Sequence, residues 1–196
     1  MSKVRERILA VASDLFYRKG IQAVGVDAII READVARMSF YRHFRSKEGL
    51  VVACVEQRDE VVRDWFEKRV KRLARNPKDR PLAVFDALAM RFTTERYRGC
   101  GFINTMAEMP DREGAVHRSA AGHKARFEEF LARLLREAGF REALAGDLLL
   151  LFDGAIVAAV REGTSAPAVR ARRIAALLLG VREPRSGKHR SPRTVH

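Results

Sequence analysis

The stretch IIREADVARMSFYRHFRSKEGL, Ile29 to Leu50, sets four arginines, a lysine and a histidine among three aromatic residues. Its reading decides the fold. Val26, Ile29, Ile30 and Ala33 recur at helical spacing and predict a short helix over Val26–Glu32, after which Asp34 suits a left-handed turn. Phe40 and Phe44, four apart and on the face of Val35, predict a second short helix over Ala36–His43. With the aromatics inward, Arg37, Met38, Tyr41 and Arg42 point outward, and Ser39 and His43 lie at the flanks. Two short helices joined by a tight turn make a helix-turn-helix, whose exposed member is thin enough to enter a DNA major groove. In that geometry Arg37 and Arg42 reach guanine edges or phosphates, Ser39 and Tyr41 donate to phosphate, and Met38 meets a thymine methyl. Lys47 opens the next helix, where backbone N–H groups also favour an anion.

Outward from this stretch the pattern stays helical. Upstream, Ile8, Ala12, Leu15 and Phe16 define an amphipathic helix that Gly20 ends. Downstream, Ser46 is a candidate cap for a long helix through Leu50, Val51, Val55, Val62, Phe66 and Leu73, which NPKDRP (76–81) breaks. Further helices are expected over Leu82–Thr94, Arg112–Ala138, Glu142–Arg161 and Ala168–Leu179, with GCGFINTMAEMPD (99–111) as an irregular connector. Alternating strand patterns and repeats are absent from the sequence, so the expected class is all-α: a three-helix helix-turn-helix unit followed by a larger helical domain.

The chain carries +13 over 196 residues, an attraction for polyanions. Residues 1–50 hold a surplus of four cations, and so does the tail from residue 181. That tail, rich in Pro, Gly, Ser and basic residues, is expected to be disordered. Cys54 and Cys100 lack the close spacing of a zinc or redox motif, which suits a reducing compartment. The charged amphipathic start argues against a signal peptide, and Leu144–Val160, interrupted by Asp147 and Asp153, reads as too short for a membrane span. A soluble, cytoplasmic protein without a membrane partner is expected.

Taken in chain order, Ile8-x3-Ala12-x2-Leu15-Phe16-x3-Gly20, Val26-Asp27-x-Ile29, Ala33-x-Val35 and Tyr41-Arg42-His43-Phe44-x-Ser46-Lys47-Glu48-x-Leu50 resemble the tetracycline-repressor (TetR) family of transcriptional regulators. The resemblance spans roughly residues 5–55. It implies a DNA-binding domain over residues 1–48, with its motif near 25–44, a ligand-binding and dimerisation domain over 49–180, and a basic tail over 181–196. It also implies a homodimer on a palindromic operator of double-stranded DNA, and repression relieved by a small-molecule effector. Arg37, Met38, Ser39, Tyr41, Arg42 and His43 would form the recognition surface, with Tyr41 and Lys47 on phosphate. Three places depart from the usual pattern: Asp34 where the turn commonly has Gly, Ala36 where Ser commonly caps the third helix, and Val24-Gly25 where Thr-Ser commonly opens the second.

In the larger domain, Leu148, Phe152, Ile156 and Val160, with Ile174, Leu177 and Leu178 on the final helix, are the candidate dimer interface, because apolar residues occupy more than one face. A buried core within one chain is the competing account. A ligand pocket is expected around Trp65, Phe66, Met90, Phe92, Cys100, Phe102, Ile103, Asn104, Met106 and Met109, where aromatics and methionines make an adaptable apolar wall. Glu108, Asp153, His117 and His123 add polar candidates. His117 and His123 are six apart and share no helix face, and neither His-Glu-x-x-His, Cys-x-x-Cys nor a strand-flanked glycine loop occurs, so no metal, no cofactor and no catalysis are expected. Two other functions fit the sequence: a non-specific architectural DNA binder, and a small-molecule carrier with a vestigial helix-turn-helix.

Overall fold

The computed structural model describes residues 3–181 apart from residue 96, and within them the structure is all helical. The basic tail expected to be disordered lies, from residue 182 onward, outside the described residues. Helix α1 spans Lys3–Lys19 and buries Ile8, Leu9, Ala12, Leu15 and Phe16. It ends at Gly20, whose φ of +91° only glycine adopts without strain. Helices α2 (Val26–Glu32) and α3 (Arg37–His43) come next, and between them Asp34 takes φ +48°, the left-handed turn its residue type tolerates. Helix α4 runs over Lys47–Leu73, started by Ser46, whose Oγ accepts from the Gly49 N–H at 3.0 Å.

After a 3-10 turn at Pro77–Asp79 come α5 (Arg80–Phe92), α6 (Gly101–Glu108), α7 (Ala115–Ala138), α8 (Ala145–Glu162) and α9 (Ala166–Leu178). The connector expected to be irregular over 99–111 is therefore largely helix α6. Its helical signal is weak in sequence: Cys100 gives no side-chain cap, and Gly101, Asn104 and Thr105 are poor helix formers. Packing makes the helix instead, because Phe102 is buried against α7 and Thr105 Oγ1 donates back to the Gly101 carbonyl at 2.7 Å. Elsewhere the expected boundaries hold or shift by at most three residues, and Val26–Glu32 is unchanged.

Two apolar cores result. One gathers Ile8, Leu9, Ala12, Ile29, Phe40, Phe44, Leu50 and Val51 with Phe102, Val116 and Ala120. The other centres on Phe66, Phe127 and Phe152, whose rings meet at 4.7–5.4 Å, covered by α5, α8 and α9. Helices α4 and α7 contribute to both cores, so the unit bearing α3 and the larger helical body share two continuous struts.

Candidate nucleic-acid interface and adjoining cavity

Phe40 anchors α3. It is fully buried, with Phe44 at 6.1 Å and Tyr41 edge-on at 5.2 Å. Around that anchor Met38 is 78% exposed and Tyr41 41%, and Arg42 is exposed beside them. Arg37 reaches Asp27 at 2.6 Å in a pair open to water, the kind that contributes little and exchanges readily for another anion. Ser39 and Lys47 are half-buried. His43, expected like Ser39 at the flank, is half-buried, and its buried Nε2 meets no hydrogen-bond partner among the described residues. Neither Gly25 nor Ala36 offers a side-chain cap to α2 or α3. The turn is fastened from outside, where Arg7 Nη2 donates to the Asp34 carbonyl at 2.7 Å.

Where α1 meets α4 and α6, a cavity of about 480 Å³ opens among Tyr17, Val55, Arg58, Tyr97, Phe102 and Asn104. A recess of about 40 Å³ beside it is lined by Arg58, Phe66, Arg91, Tyr97, Cys100, Phe102 and His123. Four of the expected pocket residues, Phe66, Cys100, Phe102 and Asn104, line these spaces. The other six do not. Met90 is exposed, Trp65 and Phe92 pack on the second core, Met106 and Met109 pack on the first, and Ile103 is half-buried on α6. Sequence reasoning missed Tyr17, Arg58 and Tyr97. The first two lie on the apolar side of their helices, Arg58 between Cys54 and Val62 at spacings of four, and that was the available signal.

The cavity wall also joins the two parts of the chain. The Gln22 N–H donates to Glu108 Oε2 at 3.0 Å, and Gln22 Nε2 donates to the Glu108 carbonyl at 3.3 Å. Tyr17 Oη accepts from the Arg98 N–H at 2.8 Å and donates to the Gly99 carbonyl at 3.2 Å. A Cβ at Gly20 would stand 3.1 Å from a Glu108 carboxylate oxygen, which would have to give way slightly, while the φ of +91° itself calls for glycine.

Beneath α6 lies a buried charge. Asp59 receives Arg63 Nε at 2.9 Å, Arg126 Nε at 2.7 Å and His123 Nδ1 at 2.6 Å. Burial opposes its ionisation, but the hydrogen bonds from Arg63 and His123 outweigh that and hold the carboxyl below its usual range. His123 stacks on Phe102 with ring centroids 3.5 Å apart, and burial pushes its pKa down to about 4, so the ring is neutral and donates through Nδ1. His117 Nδ1 donates to the Met109 carbonyl at 2.9 Å. No group of His, Cys, Asp and Glu suited to a metal ion occurs among the described residues.

The expected dimer set divides. Leu148, Phe152 and Ile156 are at most 6% exposed within a single chain, so they belong to its own core rather than to an outward face. The outward stripe of α8 is instead Leu150, Val157 and Val160, beside Val169, Ile174, Leu177 and Leu178 on α9, all at least 40% exposed. The stretch Glu142–Glu162 is long and apolar enough to cross a membrane by length and composition, with mean hydropathy 2.0, contrary to the sequence expectation. Its inner stripe fills the second core, and Asp153 receives Lys124 Nζ at 2.5 Å.

Comparison with known proteins agrees with this geometry. The sequence pattern of bacterial regulatory proteins of the tetR family matches residues 8–54, and that of the tetracyclin repressor-like C-terminal domain matches residues 77–175. The HTH-type transcriptional repressor NemR of Escherichia coli K12 is 28% identical over 123 residues, covering 60% of this chain and 62% of NemR. A crystal structure of a TetR-family transcriptional regulator from Streptomyces coelicolor superposes with a TM-score of 0.81 at 30% identity, covering 90% of this chain and 95% of that one. The reduced form of E. coli NemR superposes at 0.79 with 23% identity, over 91% and 98% of the two chains, a likeness of fold.

Proposed function

The chain belongs to the tetR family of bacterial regulatory proteins, DNA-binding transcriptional regulators rather than enzymes, and on that premise we propose that it is a repressor. It binds a palindromic operator as a homodimer and leaves it when a small molecule fills the cavity beside α6. The observation that carries this reading is α3 itself, a helix pinned by Phe40 with Met38, Tyr41 and Arg42 turned to solvent. Laid in a major groove, Arg42 and Arg37 read guanine edges or hold phosphates, Met38 meets a thymine methyl, and Ser39, Tyr41 and Lys47 hold the backbone. His43 flanks this surface. The bare apolar stripes of α8 and α9 supply the contact between subunits, which a reader of two half-sites requires. NemR carries the name of a repressor, which favours repression over activation.

A ligand in the cavity touches α1, α4 and α6 together, so it acts on the seating of the helix trio against the larger body. The chain works where bacterial DNA lies, in the cytoplasm. Footprinting on the DNA upstream of its own gene tests the proposal: a short protected palindrome is expected. Uniform protection would make it an architectural binder, and no salt-dependent DNA binding at all would make it a carrier.

A further inference from the structure

The charge around the cavity is one-sided. Arg58 projects from α4 into the wall shared by the cavity and its recess, and Arg91 lines the recess. Among the described residues neither guanidinium pairs with a carboxylate: Arg58 lies over the Tyr17 ring at 4.3 Å and Arg91 over Trp65 at 5.1 Å. A third guanidinium, that of the exposed Arg98, also lines the cavity, while two other charges of the lining are engaged. Lys124 is held by Asp153, and Glu108 by the Gln22 N–H. Arg58 also sits against the first residue of α6, its Nε 3.0 Å from where a Cβ of Gly101 would be, and that helix start has no side-chain cap. A guanidinium is thus packed against the positive end of a helix, beside a second guanidinium, with no anion in the described structure to offset them. Burial acts first against the Arg58 charge, and the neighbouring Arg91 acts in the same direction. Apolar and aromatic side chains, Phe16, Ile21, Val55, Phe102 and Val160 among them, make much of the wall, beside the polar Ser13 and Asn104.

We propose that the effector is an organic carboxylate with an apolar, aromatic body, its carboxylate held by Arg58 with Arg91 behind it and its body lying against Phe102 and the α1 wall. The inference rests on the reading that this cavity is the effector site. A guanidinium fork matches a planar carboxylate, and one negative charge suits a wall that also carries Glu108. Gly101 gives the arginine its room, since any side chain there would push Arg58 aside. Filling the site cancels the uncompensated charge at the joint between α4 and α6.

The test is calorimetric titration of the full chain with benzoate, 2-naphthoate and biphenyl-4-carboxylate, each beside its primary amide of nearly equal shape. At least one carboxylate is expected to bind about tenfold or more tighter than its amide. The lead should vanish in Arg58→Met and shrink in Arg91→Met. Anions held loosely on the basic surface would keep their lead in Arg58→Met, and that result overturns the inference, as does the absence of any carboxylate lead in the wild-type chain. Should Arg58→Met fail to fold, Arg91→Met decides: a reduced lead upholds the site, and an unchanged lead overturns it. Operator protection by the ligand-free chain is scored separately: its absence removes the regulator reading, whereas protection without a carboxylate lead removes the anion site alone.

Discussion

Helices α3 and α6 are nearly equal in length, seven and eight residues, and both start without a side-chain cap, yet they do opposite things. Helix α3 is pinned at Phe40, keeps Ser39 and His43 half-buried, and turns Arg37, Met38, Tyr41 and Arg42 to solvent. Helix α6 is pinned at Phe102 and Thr105 and bonded on both sides, to the turn after α1 through Glu108 and to α7 through the Phe102–His123 stack. A short helix has little stability of its own, so in both cases tertiary packing decides whether it exists. The difference lies in what the remaining residues face: mostly water for α3, two halves of the protein for α6.

The largest expected effect puts the two anchors side by side. Phe40→Ala should cost about 3–5 kcal/mol of stability in denaturant unfolding, with Phe102→Ala costing less because the adjoining cavity already leaves its ring incompletely surrounded. Equal losses would erase the distinction. Next, Arg42→Ala and Tyr41→Phe should weaken operator binding, by about 1–3 kcal/mol for Arg42, without changing the unfolding midpoint. A shifted midpoint would place these side chains in the core rather than on the reading face.

A third, smaller effect separates the helices by pH. His123 is depressed from 6.5 to about 4 in the folded chain, so between those values the unfolded state binds more protons, and stability falls as the solution is acidified. At pH 5 the loss should be about 2 kcal/mol relative to pH 7. His123→Gln should flatten that slope, and hydrogen exchange in acid should rise at α6 before α3. Finally, Ala36→Ser should return a cap to α3 and raise stability by about 1 kcal/mol; no gain would mean that the Ser hydroxyl fails to reach the N–H groups of the first turn.

The same pair shows how much a sequence can tell. The helix trio is legible because Phe40 and Phe44 sit four apart, Gly20 and Asp34 mark turns, and Ser46 caps α4. Helix α6 is not, since Gly101, Asn104 and Thr105 speak for a loop and only contact with α7 overrules them. Within the cavity, the apolar walls Phe66 and Phe102 are legible, but the cations are not. Yet Asp59 interrupts the stripe Val55, Val62, Phe66 at helical spacing, and a charge on an apolar stripe is the mark of a buried ion pair. For α8 the failure is geometric. When nearly every residue is apolar, periodicity cannot say which stripe faces inward, so it points to Leu148, Phe152 and Ile156 as the outer face and passes over Leu150 and Val157.

The two struts shared by both cores have a mechanical implication. Helix α4, at 27 residues, is a rod roughly 40 Å long with α3 near one end and the second core near the other. Pivoting such a lever by only about 5° sweeps its tip through roughly 3 Å, close to the rise between neighbouring base pairs. Minute rearrangements among packed aromatics therefore arrive at the far end magnified to the scale on which a duplex is ruled.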